Sequence, residues 1–192
     1  MSKTRRSLIS SVLLLVSAIV LSAPAAIPRQ FILPQHGRLL LSIPSNWQVQ
    51  VRQPKRNLPL TIRLSMHQGK TSEVFITPLW KVPGATADVS SLKNIRKLVE
   101  SGRAKIAAQA VERNIKLKSL DGNNRGFYYG ATDRAPKPGE YKYLIQGAAA
   151  VGGLVTMFTV LSNDKNASVN ALALDIVRSA MHRPENFHTK TQ

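Results

Sequence analysis

The stretch YKYLIQGAAAVGGLVTMFTVLSN, residues 141–163, is the longest apolar run outside the first residues of the chain. Two segments rich in β-forming residues, Tyr141 to Gly147 and Leu154 to Leu161, flank a small-residue centre that ends in Gly152-Gly153. Apolar, β-branched segments separated by glycine are typical of a β-hairpin. We therefore predict a hairpin of central strands, which the rest of the chain must cover.

Shorter strands are predicted on both sides of a helical segment. The run Trp47 to Arg52 alternates strictly, so that Gln48, Gln50 and Arg52 share the polar face. The proline at position 78 indicates an edge strand or the end of its strand. The other predicted strands are Arg38 to Ile43, Leu60 to Met66, Glu73 to Trp80, Ile115 to Leu120 and Phe127 to Thr132.

Two amphipathic helices complete the pattern. Ser90 or Ser91 can cap the first, and the second runs from about Ala167 to Met181. The apolar stripe of the first helix comprises Leu92, Ile95, Val99, Gly102, Ile106 and Ala110. A glycine within this stripe indicates a kink or a close approach to the sheet. Strands joined mostly by turns, with two separate helices, predict an α+β fold: a mostly antiparallel sheet of about seven or eight strands with two main helices packed on it.

The first 25 residues have the pattern of a signal peptide. Lys3, Arg5 and Arg6 precede a short apolar run, Leu8 to Leu21, and the small residues of Ala23-Pro24-Ala25 follow. We predict cleavage at Ala25 or Ala26. The alternative is an uncleaved membrane anchor, but the apolar run is shorter than the roughly 20 residues that span a bilayer.

The mature chain is predicted to be one domain. Residues 26–36 are expected to be an irregular lead-in, because Pro34 lacks an amide donor; residues 37–182 form the α+β domain, and residues 183–192 a flexible tail. No second apolar segment of spanning length follows the signal peptide. A periplasmic or secreted location is therefore predicted for the mature protein.

Composition limits the chemistry. The chain has no cysteine, which excludes thiol catalysis, thiolate metal sites and lipid attachment through cysteine. Its histidines, at positions 36, 67, 182 and 188, are scattered without metal-binding spacing, and no G-x-S-x-G elbow is present. No metal and no cofactor are expected. Loss of the signal peptide lowers the formal net charge from +17 to +14, which favours anionic partners or an ordinary solvated surface.

Basic residues are the positive signal for a binding site. The candidates for binding an anion or a partner are Arg52, Lys55, Arg56, Arg63, Lys116 and Lys118. If their strands are neighbours, their polar faces form one cationic patch; the alternative is ordinary surface charge. Nucleic acid is not favoured, because the aromatic side chains occupy inward strand positions. An alternative acid/base pair is Asp133 and Glu140, which bracket one loop; otherwise Asp133 ends its strand and Glu140 is solvated beside Lys137.

The order of elements resembles the PsbP-like α/β/α family. The resemblance covers nearly all of residues 37–181 and is carried by Ile43-Pro44 followed by Trp47, an aromatic strand in the second half, Phe158 to Leu161 before a loop, and an apolar C-terminal helix. It implies an α/β/α sandwich with a non-catalytic binding or assembly role and no catalytic residues.

Two functional hypotheses follow. The first is an exported, basic, non-catalytic binding or accessory protein of the bacterial cell envelope. It would dock on an envelope protein or an anionic surface through its sheet face or through the loops at Gln53 to Pro59 and Asp133 to Glu140. The alternative is a small periplasmic hydrolase or transferase with a site assembled from distant residues.

Overall fold

The computed structural model describes residues 25–54, 58–66, 71–81, 88–164 and 167–185. Ten strands and two helices form within these residues. The strands are β1 (Ala26–Leu33), β2 (Gly37–Pro44), β3 (Trp47–Arg52), β4 (Thr61–Met66), β5 (Ser72–Leu79), β6 (Lys118–Leu120), β7 (Gly126–Thr132), β8 (Tyr143–Val151), β9 (Leu154–Ser162) and β10 (Met181–Arg183); the helices are α1 (Leu92–Ile106) and α2 (Ala167–Arg178).

The strands form two antiparallel sheets. The large sheet has seven strands in the order β3-β4-β5-β9-β8-β7-β6, and the small sheet has three in the order β1-β2-β10. The predicted α+β class, with antiparallel strands and two helices, is confirmed. The predicted antiparallel sheet of about seven or eight strands is confirmed by the large sheet of seven, but the separate small sheet formed by β1, β2 and β10 was not predicted.

The predicted hairpin is confirmed, and it is central. Strands β8 and β9 pair along their whole length, from Tyr143↔Ser162 to Val151↔Leu154, and β9 is the fourth of the seven strands. Gly147 of β8 also allows β7 to pack closely on the hairpin, because a Cβ atom there would lie 2.6 Å from both the Phe127 carbonyl oxygen and Tyr128 Cβ.

The two faces of the large sheet carry different layers. On one face, Phe158 packs in a buried cluster with Leu41 of the small sheet and Val177 of α2. On the other face, Ile95 and Val99 of α1 pack in a second cluster. Alternation along the strands separates the two clusters, as expected for a sheet covered on both sides. Neither helix of the described residues is long and apolar enough to cross a membrane.

The prediction of an irregular lead-in at residues 26–36 is wrong over residues 26–33. These residues form β1, which pairs with β2 along its whole length. Because β1 is an edge strand, Pro28 can face solvent with the side that lacks an amide donor, and Pro34 follows in the turn.

The chain end also differs from the prediction. Helix α2 ends at Arg178, and Met181 belongs to β10 instead. Arg183, predicted as the first residue of the tail, belongs to β10 and pairs with Arg38 of β2. The predicted signal peptide and residues 186–192 lie outside the described residues, apart from Ala25.

Several element boundaries follow the sequence closely. Strand β3 spans the predicted six residues, and Ser91 caps α1 by accepting a hydrogen bond from the Asn94 amide at 3.4 Å. Of the two predicted alternatives for Pro78, an edge strand or the end of its strand, the second is confirmed, since β5 lies inside the sheet and Pro78 is its second-last residue. Pro78 is tolerated near the end of β5, beyond the residues that pair with β4.

Candidate functional site

Helix α1 covers only part of its face of the large sheet. It packs on β7 and β8. Within the described residues, neither helix packs on β3, β4 or β5 on this face. We call the α1 side of β3, β4, β5 and β9 the open face. A sheet face that neither helix covers within the described residues is a candidate surface for a partner.

A row of cross-strand partners, here called the polar row because three of its four residues are polar, crosses the open face from its edge. Gln50 of β3 pairs with Arg63 of β4, which pairs with Phe75 of β5, and Phe75 pairs with Thr159 of β9. The Arg63 guanidinium donates to Gln50 Oε1 at 2.9 Å and forms an ion pair with Glu73. The side chains of Arg63 and Glu73 are 38% and 12% exposed, so the arginine remains accessible while its partner is largely covered.

Glu73 joins Arg63 to Tyr141. The hydrogen bond and the charge of Glu73 raise the pKa of Arg63, which stays a cation at every relevant pH. Burial and the Glu73 carboxylate raise the pKa of Tyr141, whose hydroxyl also hydrogen-bonds Glu73. The carboxylate therefore holds an arginine and a tyrosine hydroxyl in fixed positions on the open face.

Apolar side chains adjoin this polar network. Phe75 and Leu79 of β5 and Met157 and Leu161 of β9 are all partly exposed on the open face. Leu161 is opposite Glu73 in the ladder, so apolar and charged groups lie side by side. Such a mixture is typical of interfaces, where partly exposed apolar groups supply area and polar groups supply specificity.

Two hollows lie beside α1 over strands β7 and β8, and each reaches the open face at one residue of β9. One, of about 260 Å³, lies between Gly102 and Lys105 on the helix and Gln146 and Met157 on the sheet. The other, of about 160 Å³, contains Tyr141. Both are smaller than the roughly 300 Å³ at which small-molecule sites begin, and they have the size of side-chain pockets.

Gly102 sets the depth of the larger hollow. A Cβ atom at this position would lie 3.3 Å from the Tyr129 hydroxyl, so α1 approaches the sheet closely here, which is one of the two alternatives predicted for this glycine. The Tyr129 hydroxyl donates to Gln146 Oε1, and burial raises the pKa of Tyr129 to about 12. This hydroxyl therefore stays protonated and acts as a fixed donor in the floor of the hollow.

The structure divides the predicted basic residues into separate groups. Arg52 and Arg63 lie on the same face of adjacent strands and both belong to the open face. Lys118 is on β6 at the opposite edge of the sheet, and its ammonium lies 6.0 Å from the centre of the Tyr128 ring on the other face. Lys116 is exposed just before β6. The strands are not neighbours, so these residues do not form one patch; Lys55 and Arg56 lie outside the described residues.

The alternative acid/base pair serves two local turns. Asp133 Oδ1 accepts a hydrogen bond from the Ala135 amide at 3.0 Å, and Glu140 Oε2 accepts one from the Lys137 amide at 2.9 Å. Each carboxylate therefore stabilises its own part of the loop. Joint acid/base chemistry at this loop stays a prediction.

Two of the four histidines are described, and they lie together. A ring nitrogen of His182 is 2.8 Å from the His36 carbonyl oxygen, and the His36 ring stacks on Trp80 at 4.3 Å. Their separation in the sequence gives no indication that they meet. Among the described residues, no group of three histidines and carboxylates is arranged to hold a metal ion.

Sequence reasoning missed Glu73 and Tyr141 as members of the network. The sequence pattern places Glu73 at the start of a strand and Tyr141 at the start of the hairpin. Nothing in the pattern indicates that the two side chains meet. The alternation that places Arg63 on a polar face also places Glu73 there, once the β4–β5 register is known. The only signal available in the sequence was a glutamate at the start of the strand that follows the alternating strand of Arg63.

Two solved structures are similar to this chain. A crystal structure from Bacteroides thetaiotaomicron VPI-5482 is similar with a TM-score of 0.54 and 11% identity over 85% of this chain and 50% of that chain. The chain thus spans about half the length of that protein. The solution structure of cyanobacterial PsbP (CyanoP) from Synechocystis sp. PCC 6803 is similar with a TM-score of 0.45 and 10% identity over 88% of this chain and 99% of that chain.

The predicted resemblance to PsbP-like proteins is confirmed as a structural resemblance. At these identities the likeness concerns the fold, and no residue roles are transferred from either structure. No protein-family model matches the chain, and no curated protein is similar to it in sequence.

Proposed function

We propose that this protein is an exported, non-catalytic accessory protein of the bacterial cell envelope, with a PsbP-like α/β/α sandwich, that docks an acidic segment of a partner protein on its open face. The observation that carries the proposal is the part of the large sheet that neither helix covers within the described residues, where Phe75, Met157 and Leu161 lie partly exposed beside Arg63. The signal-peptide pattern supports export.

Charge complementarity selects the occupant. Arg52 is exposed on the open face, Lys105 borders the larger hollow, and Lys142 borders the smaller one. The Glu73 carboxylate is largely covered and already engaged by Arg63. An approaching segment therefore meets accessible cations around an apolar centre, an arrangement that suits an acidic segment with apolar or aromatic anchors.

The hollows favour a protein partner over a small substrate. Their volumes, about 260 and 160 Å³, each match one or two side chains of a bound segment. Leu161 and Leu144 line the smaller one, so an apolar anchor fits there. The polar row from Gln50 to Thr159 would then read the neighbouring polar groups of the segment.

A pair of matched charge reversals tests the proposal. Random peptides displayed on phage are selected on the immobilised mature protein, and the enriched peptides are synthesised and titrated. We expect them to carry Asp or Glu beside apolar residues. Arg52→Glu should weaken their binding about tenfold or more, because it places a like charge on the open face. Lys118→Glu, with the same charge change at the far edge, should leave binding within about twofold.

Three results would contradict docking on the open face. Equal losses from Arg52→Glu and Lys118→Glu would indicate diffuse attraction to the whole basic surface. Selected peptides without acidic residues would remove the charge argument. Amide chemical shifts of the labelled protein locate the bound peptide, and perturbations confined to residues away from Phe75 and Thr159 would place it elsewhere.

A further inference from the structure

A cleft on the small sheet contains an arginine pair that the docking face does not use. It has a volume of about 620 Å³ and lies between the turn that joins β1 to β2 and the segment that begins with β10. Arg38 of β2 and Arg183 of β10 both line it. Because the large sheet separates this cleft from the open face, its occupant is independent of the proposed docking.

The two arginines are direct cross-strand partners. In the antiparallel ladder Arg38 is opposite Arg183, so both side chains project from the same face of the sheet at adjacent positions. Both residues are exposed. Like charges directly opposite one another destabilise a sheet, and a cleft that keeps such a pair is suited to an anion that bridges it.

The surroundings do not neutralise this pair. Arg38 donates to Gln30 Oε1 at 3.3 Å, which is a neutral acceptor. Within the described part of the chain, neither arginine forms an ion pair, although Glu185 also lines the cleft. Two guanidinium groups offer planar pairs of donors that match the oxygens of a phosphate group.

We propose that the cleft binds a phosphate group between Arg38 and Arg183. The group can belong to a free phosphate or to a lipid headgroup, since the recognising chemistry is the same. Ile32, in the same row as the pair and 72% exposed, adds an apolar contact for whatever carries the phosphate. Glu185 opposes the anion and limits its affinity.

Two binding arms identify the source of the phosphate. Inorganic phosphate is titrated into the mature protein by following arginine Nε–H signals, and the protein is sedimented with phosphatidylcholine vesicles with or without phosphatidic acid. Binding of inorganic phosphate indicates a soluble ligand. Binding only to vesicles that contain phosphatidic acid indicates a lipid headgroup. Absence of binding in both arms at physiological salt overturns the proposal.

Four variants test whether the arginine pair is the site. Arg38→Gln and Arg183→Gln should each weaken binding about tenfold or more, because each removes a charged donor pair. Glu185→Gln should strengthen binding, since it removes the opposing charge. Arg113→Gln removes an equal charge from an exposed loop and should leave binding unchanged. All four changes are at exposed positions, and equal unfolding midpoints confirm that the variants are folded.

The result that would overturn the site is a loss in Arg113→Gln equal to that in Arg38→Gln. Such a loss would mean that total charge, and not the pair, attracts phosphate. Unchanged or weaker binding in Glu185→Gln would equally contradict a site in this cleft. Arg52→Glu on the open face should not affect it, so failure here and failure of the proposed docking are separately visible.

Discussion

Asn124 provides the sharpest test of how this fold is held together. Its side-chain amide lies 2.9 Å from the Val177 carbonyl oxygen, 3.1 Å from that of Arg178 and 2.7 Å from that of Ala180. These carbonyls belong to the C-terminal end of α2 and the residues after it, and Asn124 is only 6% exposed. One amide thus satisfies carbonyl groups that a helix end leaves without partners.

Asn124→Asp keeps the shape of the side chain and replaces the donor with an acceptor. Buried carbonyls that lose their donor cost about 1 to 3 kcal/mol each, although some bonds here share a hydrogen. A carboxylate at the negative end of the α2 dipole adds about 1 kcal/mol. We expect the free energy of unfolding to fall by about 3 to 5 kcal/mol at neutral pH, a large part of the 5 to 15 kcal/mol typical of a domain.

Urea denaturation followed by circular dichroism measures the change. The matched control is Asn123→Asp, the same substitution one residue earlier at an exposed position, which should cost less than about 0.5 kcal/mol. Because the new carboxyl faces carbonyl oxygens, its pKa in the folded state is raised above its unfolded value of about 3.9. The loss in free energy of unfolding caused by Asn124→Asp should therefore grow as pH rises from about 4. A loss below about 1 kcal/mol, or one equal to the control, would refute the role assigned to Asn124.

Three further outcomes are expected. Phe158→Ala should lower the free energy of unfolding by about 3 to 5 kcal/mol, because Phe158 is 1% exposed in the main core; an almost unchanged thermal midpoint would contradict this. Burial and the nearby His182 lower the pKa of His36, so the contribution of His36 to stability should be lost as pH falls below about 6.5, and His36→Phe, which can still stack on Trp80, should flatten that dependence. The mass of the native protein should give an N-terminus near Ala26; an intact Met1 in a membrane fraction would argue for an anchor.

The sequence predicts most of the large sheet because its strands carry their own signal. Strict alternation fixes the bounds of β3, and the apolar hairpin locates β8 and β9. Strands β1 and β10 have weaker patterns. Prolines in and after β1 argue against a strand in the sequence pattern, although an edge strand tolerates them. Strand β10 has three residues, which is too few to show a period.

The candidate site is only partly predictable, since alternation gives the face of a side chain but not the order of the strands. It places Arg52 and Arg63 on polar faces correctly. It cannot show that four strands separate Arg63 from Lys118, because that distance depends on long-range pairing. For the same reason, the contacts of Arg63 with Glu73 and of Arg38 with Arg183 appear only once the register is known.

The position of β2 between β1 and β10 has a consequence for how the protein folds. Strand β2 forms a local hairpin with β1. The other edge of β2 pairs with residues 181–183, about 140 positions further along the chain. Pairing over such a separation must first close a very long loop, and proteins rich in such contacts fold slowly. The edge of β2 should therefore be the last part of the sheet to gain protection from amide hydrogen exchange during refolding. A chain that stops before β10 would leave that edge open to strand pairing with other chains.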